Sequence, residues 1–94
     1  MIVEWTIPAQ TCLQAIVDYI SEDDFEAAHR LVDEIVISTE NTLADHPNAG
    51  RPGRVENTRE WIAHKNYIVA YRVLEGRIQV LSVIHSARLW PSSL

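Results

Sequence analysis

The sequence predicts an α+β domain of order β-α-α-β-β-β, a helical hairpin packed on one face of a four-stranded, mainly antiparallel sheet. Three observations carry this expectation. Two consecutive stretches before residue 45 repeat their apolar residues with a helical period. Three stretches after residue 57 are rich in β-branched and aromatic residues and are separated by two-residue turn signals. A short alternating segment opens the chain. Ninety-four residues make a single domain, 1–94, with a thin core.

Ile2 to Ile7 alternates as Val3/Trp5/Ile7 against Ile2/Glu4/Thr6, the pattern of a first strand. Pro8 ends it and suits the first turn of a helix, where its missing N–H costs nothing. Leu13, Ile16, Val17 and Ile20 then fall on one helical face. Ser21-Glu22-Asp23-Asp24 interrupts the pattern and supplies N-cap candidates for a second helix over 24–44. Its stripe is Ala28, Leu31, Val32, Ile35, Thr39, Thr42 and Leu43. The two helices form an αα-hairpin that needs a sheet to bury against.

The segment His46 to Arg54 holds two prolines and two glycines and reads as a loop. Strands are expected at 58–64, 67–74 and 77–85, divided by Lys65-Asn66 and Glu75-Gly76. The middle strand is apolar on nearly every residue, which places it centrally with cover on both faces. Arg72 in that strand then needs a carboxylate or phosphate partner. Residues 87–94 form a short tail.

No basic stretch with a following apolar run opens the chain, and no segment has the ~20 apolar residues of a membrane helix, so a cytoplasmic protein is expected. Cys12 has no second cysteine to pair with and reads as a half-buried helix residue. The four histidines share no metal-ligand spacing, and neither metal nor cofactor is expected. Charge is divided along the chain: residues 1–45 carry ten Asp or Glu and one Arg, whereas residues 46–94 carry seven Lys or Arg and three Glu. Such a division suits two surfaces with different partners, although acids on helix faces often do no more than solvate them.

Several segments, in this order and spacing, resemble the ParE/RelE toxin superfamily, and its ParE-like branch in particular. They are Val3-Glu4-Trp5, residues 15–20, residues 44–47 and 50–54, Thr58-Arg59-Glu60, residues 66–73 and residues 83–91. Together they span nearly the whole chain. The resemblance implies the toxin of a type II toxin–antitoxin pair, neutralised in a hetero-oligomer with a cognate, ParD-like antitoxin. The superfamily has two activities. RelE-like members are ribosome-dependent messenger ribonucleases, whose chemistry needs a base for the ribose hydroxyl, cations for the phosphorane and an acid for the leaving oxygen. They typically carry an Arg just after the tyrosine of the third strand, where this chain has Ile68 after Tyr67. An aliphatic side chain cannot stabilise a phosphorane. The departure favours the ParE-like activity, in which the toxin traps DNA gyrase in its cleaved-DNA state and has no catalytic residues of its own.

On that reading the target is expected to meet Arg59, His64, Lys65, His85, Arg88 and Trp90. The antitoxin is expected on Leu13, Ile16, Tyr19, Leu31 and Ile35. The alternative ribonuclease would use His85, Arg88, Arg59 and Lys65. A lone histidine at a strand end is more often a structural residue than a base, which weighs against that use of His85.

Overall fold

The computed structural model describes residues 1–86. Their order is β1 (Ile2–Trp5), α1 (Ile7–Ser21), α2 (Phe25–Asp45), β2 (Arg51–Pro52), β3 (Arg59–His64), β4 (Tyr67–Leu74) and β5 (Arg77–His85). The sheet runs β1-β5-β4-β3-β2, antiparallel throughout except that β1 lies parallel to β5, with Val3 opposite Ile78. The expected α+β architecture is present. The sheet has five strands rather than four, because Arg51-Pro52 inside the expected loop pairs with Arg59 and Glu60. Proline on this outermost strand leaves no ladder donor missing in the interior.

The first strand ends earlier than its alternation suggests, and Thr6 is the reason. Its amide donates to the Val80 carbonyl at 3.2 Å, and its hydroxyl donates to the same oxygen at 2.7 Å. The hydroxyl also accepts from the Ala9 amide at 3.3 Å, so the last residue in contact with the sheet is also the N-cap of α1. Ile7 therefore turns outward and is 71% exposed. At the hairpin tip Asp24 caps α2, its carboxylate accepting from the Ala27 amide at 3.0 Å.

The core lies between the helices and one sheet face. Ala28, Ile35, Thr39 and Leu43 of the predicted α2 stripe are fully buried, as is Ala9 at the start of α1. Of these, Ala9 and Ile35 cluster with Val69, Val80 and Val83, and Leu43 with Tyr71 and Ile78, all from β4 and β5. Cys12 is half-buried and packs against the same cluster. Gly76, at a turn read from sequence, has φ +76°. Register shifts between Ile62 and His64 and between Ala70 and Tyr71 interrupt the β3–β4 and β4–β5 ladders.

Among the described residues, no helix covers the opposite sheet face. Arg72 lies on it, exposed, and its Nε donates to Gln79 Oε1 at 2.7 Å. Gln79 Nε2 donates in turn to Glu4 Oε1 at 2.9 Å, and Arg77 approaches the same carboxylate at 3.7 Å. Among the described residues the cation thus reaches an acid through an amide rather than pairing directly with a carboxylate. On the same face Ile68 is buried while Ile62 is 59% exposed.

Candidate functional site

The candidate side chains lie at the two ends of the sheet and along the helical hairpin. At one end, the loop after α2 is fastened to the sheet by Tyr71. This residue is fully buried; its hydroxyl donates to the Pro47 carbonyl at 2.7 Å and accepts from the Gly50 amide at 2.9 Å. Arg59 Nη1 donates to the Gly50 carbonyl at 2.6 Å. Glu60, with its side chain 10% exposed, accepts from the Arg54 amide at 3.1 Å and pairs with Arg51 at 3.5 Å. Gly50 has no room for a side chain: a Cβ there would stand 2.8 Å from the Glu60 carbonyl oxygen and 2.9 Å from the Tyr71 ring. Arg59, expected among the target-contacting residues, is half-buried and holds this loop in place.

At the other end, the β3–β4 hairpin and the end of β5 bring His64, Lys65, Tyr67 and His85 together. Tyr67 stands opposite His85 in the ladder, with their rings edge to face at 5.1 Å, and His64 lies 6.3 Å from the Tyr67 ring. Lys65 is exposed at the hairpin tip. His64 Nδ1 is buried without a hydrogen-bond partner. Arg88 and Trp90, also expected at this surface, lie outside the described residues. Arg59 does not join the group. It stands opposite Tyr71, four residues along β4 from Tyr67, or roughly 13 Å at ordinary strand rise.

Of the residues expected to meet an antitoxin, Ile35 is fully buried, and Leu13, Ile16 and Leu31 pack half-buried against the core. Their apolar surface is used inside the chain's own fold, because the stripe that fits a partner helix equally fits the sheet. Tyr19 alone of the five is open, at 66% exposure. Further open apolar residues of the hairpin lie on α2, where Phe25 is 65% and Ile37 57% exposed. These two residues, with Ala63 and His64 of β3, border a groove of about 850 Å³. Sequence reading missed it, although Phe25, His29, Asp33, Ile37 and Asn41 recur every four residues and so form one ridge.

Among the described residues no group of acidic, histidine or cysteine side chains is arranged to hold a metal ion, and no helix is long and apolar enough to cross a membrane.

The family profile described as the ParE toxin of the type II toxin–antitoxin system parDE matches residues 3–90. The chain belongs to this toxin family. Similar proteins span it almost end to end. Y4kP of Sinorhizobium fredii, named a toxin, is 39% identical over 93 residues, covering 98% of this chain and 95% of its own. Toxin RelE2 of Caulobacter vibrioides is 32% identical over 87 residues, covering 93% and 97%. Among solved structures, the chromosomal ParDE toxin–antitoxin system of P. aeruginosa superposes with a TM-score of 0.81 at 30% identity, covering 90% of this chain and 95% of that one. The toxin–antitoxin complex RelBE2 of Mycobacterium tuberculosis shares the fold, with a TM-score of 0.65 at 22% identity, covering 89% of this chain and 88% of that one. The toxin is therefore a ParE/RelE superfamily member of a type II system, similar in fold to chains with both kinds of name.

Proposed function

We propose that this toxin inhibits DNA gyrase by trapping its cleaved-DNA complex, and that a cognate antitoxin neutralises it by direct binding. The observation that carries the reading is the aliphatic residue directly after Tyr67, where a RelE-like ribonuclease typically carries a phosphorane-stabilising Arg. The next residue is Ile68, 5% exposed, and the nearest candidate replacement on β3, Arg59, is engaged with the Gly50 carbonyl at the far end of the sheet. Losing such a cation typically removes ~3 kcal/mol or more of transition-state stabilisation, enough to make a ribonuclease of this geometry slow by two orders of magnitude. A gyrase poison needs no such group. It needs a shaped surface with a few anchors, for which His64, Lys65 and His85 are candidates within the described residues and Arg88 and Trp90 beyond them. Arg59 acts on this reading by holding the loop that presents Arg51 and Arg54. The high similarity to a ParDE structure supports the same choice of activity.

The ribonuclease alternative draws support from the grouping of Lys65, Tyr67 and His85 at one sheet end and from the match to a chain named RelE2. Purified toxin added to gyrase supercoiling and DNA-cleavage reactions, with ribosome-programmed messenger in parallel, separates the two. Lost supercoiling with accumulated cleaved DNA and intact messenger is the expected result. Cleaved messenger with unaffected gyrase, the cleavage abolished by His85→Ala, would overturn it.

A further inference from the structure

The sheet face turned away from the helices carries an apolar row. Ile62, Ile68 and Ile84 stand side by side across β3, β4 and β5, with Ile68 opposite each of the other two. Strand alternation sends them away from the helices, because Val69 and Val83, the residues beside Ile68 and Ile84, belong to the core. Two residues along on the same face, Ala70 stands opposite Ser82, and their small side chains leave a recess beside the isoleucines. Cross-strand neighbours close the flanks of a side chain and leave its outward end open. Ile62, at the β3 end of the row, is accordingly 59% exposed, yet Ile68 in the middle is only 5% exposed, although no helix among the described residues covers this face. The chain leaves the sheet at this same end. Two residues beyond Ile84, the Ser86 amide donates to the Asn66 carbonyl at 2.8 Å. Residues 87–94 follow, and Leu89, Trp90, Pro91 and Leu94 among them are apolar.

We propose that the chain's own C-terminal segment, residues 87–94, lies across this face, with Leu89 and Trp90 seated on the isoleucine row and the recess over Ala70 and Ser82. The lengths agree. The row lies roughly 7 Å back along the strand from Ser86 and spans two interstrand spacings, roughly 10 Å. Trp90 is four residues beyond Ser86, a reach of about 13 Å when extended, before its own ring is counted. An indole suits the recess because its flat apolar body rests against small side chains while its N–H stays at the rim, within reach of water. The tether favours this occupant over a second copy or a free partner, since a short linker presents its own segment at an effective concentration in the ~mM range. Seated so, the segment adjoins the sheet end that bears Lys65 and His85, and Trp90 becomes part of a formed surface rather than a loose anchor. The seating is independent of which target the toxin attacks.

The test reads Trp90 in the whole chain. Its fluorescence is isolated as the difference between the unaltered toxin and Trp90→Phe, and its quenching by acrylamide is compared with that of a peptide of residues 87–94. The expected difference spectrum is blue-shifted, with quenching about threefold or more weaker than in the peptide, as for an indole held against apolar side chains. Ile62→Glu, at the exposed end of the row, is expected to raise quenching to the peptide value. Ile37→Glu makes the same change at an exposed residue of α2 and is expected to leave it unaltered. Thermal unfolding of each variant verifies that the fold is kept. Quenching in the unaltered chain equal to that of the peptide would overturn the proposal. Weak quenching that persists in Ile62→Glu, or is lost equally in Ile37→Glu, would overturn the isoleucine row as the seat. Protection that fades on dilution would place the segment of a second copy there and overturn the intramolecular seating.

Discussion

Replacing Tyr71 with phenylalanine is the sharpest perturbation the fold offers, since it deletes one oxygen atom and leaves the buried ring in place. That oxygen donates to the Pro47 carbonyl at 2.7 Å and accepts from the Gly50 amide at 2.9 Å. Gly50 is buried, so its N–H is stranded without water, at a cost of roughly 1–3 kcal/mol. The Pro47 carbonyl is half-buried and can turn to solvent, so only the net value of its bond is lost, about 0.5–1.5 kcal/mol. The expected loss is therefore about 2–4 kcal/mol, a large part of the ~5–15 kcal/mol that stabilises a typical domain. In a chain of this size that corresponds to a fall in Tm of roughly 10–25 °C. Urea unfolding would show a lower midpoint at unchanged slope, and native-state exchange would show faster opening of the Gly50 amide than of the β4 amides. A loss below about 0.5 kcal/mol, with Gly50 still protected, would refute the reasoning, because it would mean the hydroxyl is not what holds the loop.

Three further outcomes are expected. Gly50→Ala forces a methyl to within 2.8 Å of the Glu60 carbonyl and should destabilise by roughly 1–3 kcal/mol, measured by thermal denaturation. Thr39→Val should stabilise by about 1 kcal/mol or more, because the Thr39 hydroxyl is fully buried without a hydrogen-bond partner and its removal relieves that cost; a lower urea midpoint would show that the hydroxyl is satisfied in solution. Arg72→Ala should change stability by less than about 0.5 kcal/mol, since its contact to Gln79 is exposed on the open face.

Much of this fold was legible because its punctuation is local. Leu13, Ile16, Val17 and Ile20 in α1, the stripe from Ala28 to Leu43 in α2 and the turns at Lys65-Asn66 and Glu75-Gly76 each declare themselves within a few residues, and the strand expected at 77–85 matches Arg77–His85. What escaped was decided at long range. Nothing in Ile2–Trp5 reveals that its partner is β5 or that the pairing is parallel. Two residues of β2, one of them proline, carry no alternation to read. Tyr71 looks like any inward aromatic in its strand, and its role depends on a loop more than twenty residues earlier in the chain. Of the residues expected to meet a target, His64, Lys65 and His85 lie near one another because hairpin and strand boundaries bring them to one sheet end, whereas Arg59 lies at the other end, which a one-dimensional pattern does not show. Most residues expected to meet an antitoxin lie on stripes that the fold itself packs inward, whereas Phe25 and Ile37 of α2 are exposed.

The parallel pairing of β1 with β5 also governs when the molecule can exist. Val3 and Ile78 are neighbours in the sheet but lie 75 residues apart in the chain, so closing that pair means ordering nearly the whole polypeptide. A nascent chain that has released the helical hairpin but not yet the last strand has no neighbour for β1 and none for the Thr6 cap, whose hydroxyl and amide both bind Val80. Translation broken off before that strand would yield fragments with an uncovered apolar stripe, material for proteases rather than a weakened toxin. The topology thus ties the folded domain to completion of its last strand: an interrupted chain leaves debris rather than a partly assembled domain.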